Sequence, residues 1–312
     1  MIGELLSGSS PPVAFFSGGI IFLVLLYGCG TVLIRELRTR WNLQWSIIFL
    51  AIAYGILEEG TMIQSFFNVD HVDLGVLSGY GMYFGVQWPW SIALTVYHAS
   101  ISTLIPIVIV DYMWPEYKNE PLLPGRGFKL CSAGFVFVIL FFLVFAVLQK
   151  EPPFTNYDFS VLINVITLIV VGMLIWLAYK FKDSRILSEL HIVRPSLLGV
   201  AGFLIMAINL LFPNILAENN VPGSTTIAVQ IVWVAFLCVL AYTQIFNKKT
   251  TKRHIAALVF GCLFLFILFT PLHEFGMTGN PDATTGMLGV GVVTLVLLII
   301  WRHKVLQRES VT

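Results

Sequence analysis

The chain has 312 residues, of which 57% are hydrophobic and only 11% are charged, whereas an average soluble domain contains about 25% charged residues. This composition excludes a soluble globular protein and predicts an all-α polytopic membrane protein in contact with lipid. The net charge of +1 gives no reason to expect a nucleic-acid partner, and the four cysteines lie in apolar runs without metal-ligand spacing.

Nine apolar runs are each long enough to cross about 30 Å of hydrocarbon. They lie at 13–34, 44–67, 89–113, 128–149, 159–180, 196–213, 226–246, 254–272 and 285–301. We therefore expect one transmembrane domain over residues 1–312, located in a prokaryotic cell membrane. The first twelve residues contain no Lys or Arg, so we expect no cleavable signal peptide.

The basic residues predict the orientation of these spans. If alternate loops are assigned to one side of the membrane, 17 of the 18 Lys and Arg residues fall on that side, and Lys150 alone falls on the other. Because cytoplasmic loops carry the excess of positive charge, the pattern predicts an outer N-terminus and a cytoplasmic C-terminus.

The second span contains two adjacent carboxyl groups, Glu58 and Glu59. A charged side chain at the bilayer centre costs about 2.5–3.5 kcal/mol on insertion scales, so an acidic pair there suggests a functional site. Tyr54, Glu58, Thr61 and Ser65 share one helical face, and Glu59 points about 100° away from it. We therefore expect Glu58 to act and Glu59 to support it; the alternative is a structural pair with one carboxyl protonated.

The third span brings a histidine to the same predicted depth. Ser91, Thr95, His98 and Ser102 follow helical spacing and form a second polar stripe. With the predicted orientation, Glu58 and His98 both lie in the outer half of the membrane, so the two stripes are expected to face each other. The alternative for His98 is an interhelical hydrogen-bond donor.

The segment 69–87 connects these two spans and is rich in glycine and aromatic residues. Irregular backbone at membrane depth must be buried in protein or line water. The segment is therefore either a cap over a cavity or an ordinary outer loop.

Polar residues in the later spans support two further expectations. Asn164, Asn209 and Gln230 stand alone in apolar helices, which is typical of interhelical hydrogen bonds. His273 ends the eighth span on the same side as Glu58 and His98, so it is a candidate site residue. The alternative is a simple interface histidine.

A membrane Glu-Glu pair followed by two histidines resembles the CPBP family of intramembrane glutamate proteases, which includes the CAAX endopeptidases. The motifs of that family are EExxxR, FxxxH and a histidine followed four positions later by Asn. Glu58 and Glu59 match the first motif, His98 the second and His273 the third. The chain departs from these motifs at three positions: Ile63, Leu94 and Met277. The blocks EEGTMIQSFF and LTVYHA are also similar to those of uncharacterised prokaryotic polytopic proteins.

The residues and the resemblance together predict a metal-independent intramembrane hydrolase that cleaves a peptide or a lipid. Glu58 would be the general base, Glu59 would tune it, and His98 and His273 would stabilise the oxyanion or transfer protons. No cofactor is expected. The alternatives are a zinc site formed by Glu58, His98 and His273, a proton- or ion-coupled transporter, and a non-catalytic membrane protein.

Overall fold

The computed structural model describes residues 2–148, 159–277 and 284–309. Ten helices make up most of it: α1 (Ile2–Ser7), α2 (Pro12–Arg40), α3 (Ile47–Ile56, extended by a π-helical turn over Leu57–Met62), α4 (Trp88–Met113), α5 (Gly125–Leu148), α6 (Val161–Lys180), α7 (Pro195–Glu218), α8 (Gly223–Ile245), α9 (Lys252–Glu274) and α10 (Met287–Glu309). The strands of the described ranges form one short antiparallel hairpin, β1 (Met82–Tyr83) and β2 (Val86–Gln87). The all-α fold class is confirmed.

Within the described ranges, eight helices are long and apolar enough to cross a membrane, namely α2 and α4 to α10. They correspond to eight of the nine predicted spans. The remaining span, predicted at 44–67, is the shorter helix α3, with ten α-helical and six π-helical residues. The chain turns sharply just after α3, at Gln64, whose φ is +64°. Span count and orientation relative to a bilayer therefore stay predictions.

The predicted basic loops do meet at one end of the bundle, which we call the basic end. Arg35 donates to the carbonyl oxygen of Tyr117 at 2.5 Å, and Arg308 donates to that of Met113 at 2.6 Å. Contacts between the loops 41–46 and 181–187, and between Ser188 and residues 246–248, close the same surface. This arrangement matches the grouping of basic residues inferred from the sequence.

At the opposite end, residues 63–87 form a folded segment, which we call the outer segment after the orientation predicted from the sequence. Gln87 is fully buried at its centre. Its amide donates to the carbonyl oxygens of Ser65 and Asn68, both at 3.1 Å, and its Oε1 accepts from the backbone N–H of Gly79 at 2.8 Å. These bonds cross-link the segment internally, as a cap requires; its position relative to lipid stays a prediction.

Two of the three isolated polar residues of the later helices form interhelical hydrogen bonds, as predicted, and the third bonds to the segment that follows α3. Asn209 on α7 donates to the carbonyl oxygen of Ala93 at 2.8 Å, and Gln230 on α8 donates to that of Pro89 at 2.9 Å. Asn164 on α6 exchanges hydrogen bonds with the side chain of Gln64. The contacts of Asn209 and Gln230 fix the first half of α4, and therefore His98, relative to α7 and α8.

Candidate functional site

The centre of the candidate site is the imidazole of His98, which lies between the two carboxyl groups of the acidic pair. Its Nε2 is 2.8 Å from Oε1 of Glu59, and its Nδ1 is 3.1 Å from Oε2 of Glu58. Glu58 and His98 are each only 2% exposed. The predicted convergence of the second and third spans on one polar cluster is thus present in the structure.

The expectation that Glu59 points away from the site is wrong. It assumed an ideal α-helix, but the backbone forms a π-helical turn at Leu57–Met62. A π-helix has more residues per turn, so neighbouring side chains diverge by less than 100°, and Glu58 and Glu59 both reach His98. The helix α4 also contains a π-helical stretch, His98–Leu104, that begins at the histidine itself. Such turns occur frequently at functional sites.

Four further side chains hold the three central groups in place. The Tyr27 hydroxyl donates to Oε1 of Glu58, and the Ser65 hydroxyl donates to Oε2 of Glu59. Ser65 itself accepts from the indole N–H of Trp90 at 3.0 Å. The hydroxyl of Ser102 lies 3.1 Å from Nδ1 of His98. The orientation of each central group is therefore fixed by at least one neighbour.

A third carboxyl group, Glu4, joins this cluster from the N-terminal helix α1. One carboxylate oxygen of Glu4, one of Glu58 and a ring nitrogen of His98 all lie within 4.8 Å of one another. Leu6, fully buried, and Gly3 pack α1 against Tyr97 and Ile101 of α4. Sequence analysis missed Glu4 because α1 precedes the first apolar run and is too short to be recognised as part of the bundle.

Close packing of α3 on α4 keeps the cluster buried. A Cβ atom at Gly55 would lie 3.0 Å from Cβ of His98 and 3.5 Å from the carbonyl oxygen of Thr95, so a larger residue there would push the two helices apart. The ring of Tyr27 stacks on the imidazole, and that of Tyr97 meets it edge-on at 4.9 Å between centroids. Aromatic rings therefore cover two sides of His98.

The fourth predicted site residue, His273, lies at the end of α9. Its ring meets the edge of Phe269 one turn earlier, with 6.4 Å between centroids, and its carbonyl oxygen accepts from Thr284. Among the described residues, the cluster of close metal-ligand atoms includes Glu4 rather than His273. The structure thus brings together Glu58, Glu59 and His98, and it supplies Glu4 in the place expected for the second histidine.

A groove of about 1110 Å³ runs along the opposite side of α4. Its walls come from α3 and α6 on one side and from α7, α8 and α9 on the other, and its lining is mainly apolar. It extends from Phe66 and Trp88 near the outer segment to Arg38 and Arg185 at the basic end. A cavity of this shape and chemistry suits a long apolar chain.

The groove and the polar cluster are neighbours but are not continuous. Ser91 and Thr95 line the groove, whereas His98 does not, and Ser102 contacts His98 instead. The predicted polar stripe of α4 therefore divides between two faces of the helix. Ile52 and Ile56 of α3 also line the groove, so the contact between α3 and α4 separates the groove from Glu59.

Comparison with known proteins places the chain in a family. Residues 1–300 match the sequence model of a family described as an uncharacterized membrane protein family. The chain belongs to this family. No curated protein and no solved structure matches it.

The family match agrees with the predicted likeness to uncharacterised prokaryotic polytopic proteins, and it establishes the chain as a membrane protein. It gives no support to the resemblance to CPBP proteases, which depends on four site residues alone. Function must therefore be argued from the cluster itself.

Proposed function

We propose that the protein is an intramembrane hydrolase in which the cluster of Glu58, Glu59 and His98 activates water for attack on a membrane-embedded substrate. The observation that carries the proposal is the position of one buried imidazole between two carboxyl groups. Buried groups of this kind are costly in a membrane protein and are typically retained for function. Their arrangement resembles neither a simple interhelical hydrogen bond nor a surface ion pair.

Each group has a role that follows from its contacts. Glu58 accepts the proton of the attacking water through Oε2, which lies 3.1 Å from Nδ1 of His98 and has no other hydrogen-bond partner among the described atoms. Glu59 holds the imidazole through its 2.8 Å contact with Nε2. Water oxygen bonds to the carbonyl carbon, and the proton held by Glu58 passes to the leaving amine or alcohol as the bond to it breaks. His98 donates a hydrogen bond to the developing negative charge, and the Tyr27 hydroxyl keeps its hydrogen bond to Glu58.

The groove indicates what kind of substrate reaches this cluster. Its apolar lining favours a lipid chain or an apolar peptide segment, both of which enter from the membrane. Because Gly55 packs directly against His98 and Thr95, access from the groove to Glu59 requires α3 to move away from α4. Catalysis then depends on this separation as well as on the polar groups.

The proposal is tested by hydrolysis in isotopically labelled water. The purified protein, reconstituted in liposomes, is offered a transmembrane peptide, a prenylated peptide and a phospholipid, and products are detected by mass spectrometry. The wild-type protein is expected to incorporate labelled oxygen into one product, and Glu58→Gln or His98→Ala to slow this by about 100-fold or more. Glu218→Gln and His191→Ala, at exposed positions, are the matched controls and retain the wild-type rate.

Two results contradict the proposal. One is hydrolysis that proceeds equally fast in Glu58→Gln and His98→Ala. The other is the absence of hydrolysis of all three substrate classes by correctly folded wild-type protein. The second result leaves a non-catalytic membrane protein or a transporter.

Proton- or ion-coupled transport is a second candidate because the groove runs from the outer segment to the basic end. In this alternative, the buried carboxyl groups carry protons and no bond is cleaved. Proton flux in sealed liposomes, abolished by Glu58→Gln without product formation, distinguishes transport from hydrolysis.

A further inference from the structure

The side chains of Glu4, Glu58 and His98 form a compact set of metal-ligand atoms. They come from three separate helices, α1, α3 and α4, yet one donor atom from each lies within 4.8 Å of the other two. Around a tetrahedral zinc ion with bonds of 2.0–2.2 Å, donor atoms are about 3.4 Å apart. Small side-chain movements are therefore enough to bring all three onto one ion.

Nδ1 of His98 lies 3.1 Å from Oε2 of Glu58 and 3.1 Å from the Ser102 hydroxyl, and a metal ion bound at Nδ1 would replace these two contacts. Nε2 is 2.8 Å from Oε1 of Glu59, so the ring proton is held on that nitrogen. A histidine that binds a metal commonly donates its other N–H to a carboxylate, which fixes the tautomer and strengthens the ligand. Glu59 is held in turn by Ser65, and Ser65 by Trp90. This is the supporting shell that a metal-binding histidine requires.

In Glu58, one carboxylate oxygen is held by a neighbour and the other faces His98. Tyr27 donates to its Oε1, whereas its Oε2 is buried and has no hydrogen-bond partner among the atoms described. Oε2 is the oxygen that lies 3.1 Å from Nδ1 of His98. The nearby Tyr54 hydroxyl is also buried, and no described atom accepts from it or donates to it. A buried carboxylate oxygen without a hydrogen-bond donor is costly, and a bound cation would satisfy it.

The charges of the cluster favour a cation. Three carboxyl groups, from Glu4, Glu58 and Glu59, surround one imidazole. No Lys or Arg among the described residues forms an ion pair with any of them; the described Lys and Arg pairs lie at the basic end. A divalent ion balances two carboxylates and allows a neutral imidazole to bind through Nδ1.

We propose that Glu4, Glu58 and His98 bind one divalent transition-metal ion, with zinc as the best match to two carboxylate oxygens and one imidazole nitrogen. Three protein ligands leave a fourth position open for water, whose pKa a bound zinc ion lowers to about 7. This site goes beyond the proposed hydrolase and does not depend on it, because binding is measured without any substrate. If both hold, the metal rather than Glu58 activates the water.

The test is metal binding by the full chain in detergent. Protein treated with EDTA and then titrated with Zn²⁺ is expected to bind about one ion per chain by elemental analysis, and Co²⁺ is expected to give absorption bands of a four- or five-coordinate site. Glu4→Gln, Glu58→Gln and His98→Ala are each expected to weaken Zn²⁺ binding by more than about 100-fold. Glu59→Gln removes the supporting contact and is expected to weaken it by about 10- to 100-fold.

The exposed variants Glu218→Gln and His191→Ala are the controls and are expected to bind Zn²⁺ like the wild type. Glu4→Gln is the decisive variant, because Glu4 lies on α1 and the substitution leaves every residue of α3 and α4 unchanged. The proposal is overturned if the folded wild-type protein binds no metal, or if Glu4→Gln binds one ion per chain with unchanged affinity. A variant that loses the metal but keeps hydrolysis, or that loses hydrolysis but keeps the metal, distinguishes failure of this proposal from failure of the proposed function.

Discussion

The described part of the chain contains two buried charged clusters, and they differ in the balance of their charges. At the basic end, Asp111 receives two hydrogen bonds from Arg38, at 2.5 and 3.1 Å. Glu36 accepts from Arg40 at 3.0 Å and from the backbone N–H of Leu122 at 2.6 Å. Both carboxyl groups of this cluster are therefore paired with guanidinium groups, although Nε of the buried Arg35 has no hydrogen-bond partner among the described atoms.

The second cluster, which we call the outer cluster, consists of Glu4, Glu58, Glu59 and His98, and in it acidic groups outnumber basic ones. It contains three carboxyl groups, one imidazole and a carboxylate oxygen of Glu58 without a hydrogen-bond partner among the described atoms. A balanced network stabilises the fold, whereas an unbalanced one costs stability and is kept where a ligand or a reaction uses it. The difference in charge balance supports a structural role for the basic end and agrees with the functional role proposed for the outer cluster.

The largest effect on stability is expected when the ion pairs at the basic end are broken. Asp111→Asn leaves Arg38 and Arg35 without their shared carboxylate partner in a largely buried site, and the loss of one member of a buried ion pair costs about 3–5 kcal/mol. The free energy of unfolding, measured by denaturant titration in detergent, is expected to fall by this amount. Glu116→Gln, an exposed acid in the neighbouring loop, is the control. Equal stability of the two variants would show that the basic end is not a structural network.

A substitution in the outer cluster is expected to change the free energy of unfolding less, either leaving it nearly unchanged or raising it slightly. Glu4→Gln removes one of three carboxyl groups that lie close together, so in metal-free protein it is expected to change the free energy of unfolding by between 0 and about +1 kcal/mol. The same titration, carried out in EDTA, measures it. A loss as large as that of Asp111→Asn would mean that Glu4 is a structural residue, and it would remove the contrast between the clusters.

The smallest effect is expected at the exposed pair of Glu189 and Lys248. The hydrogen bond from Lys248 holds the pKa of the Glu189 carboxyl below its usual range. Because the pKa is lower in the folded state, any stabilisation is present at neutral pH and is lost as the pH falls through the carboxyl range. Glu189 is 72% exposed, so solvent screens the pair. Glu189→Gln is expected to leave the unfolding midpoint unchanged at neutral pH; a clear decrease would contradict this.

Sequence periodicity and charge predicted most of the architecture, because a bilayer demands long apolar helices and sorts basic residues to one side. The same reasoning placed Glu58 and His98 together and identified Asn209 and Gln230 as interhelical contacts, whereas Asn164 bonds to Gln64 beyond the end of α3. It failed for Glu59 because a π-helical turn leaves no clear signal in hydrophobic spacing. It failed for Glu4 because a six-residue helix has no periodic pattern to detect. The only available signal was an acid among apolar residues, in the stretch MIGELL.

The π-helical turn at Leu57–Met62 also has a consequence for comparing members of the family. Such a turn accommodates one more residue than an α-helical turn of the same height. A relative that lacks one residue between positions 57 and 62 would therefore match this chain over the rest of the helix, but it would present only one carboxylate to its histidine. A one-residue gap at this point would distinguish family members that keep both carboxyl groups beside the histidine from members that keep only the helical fold.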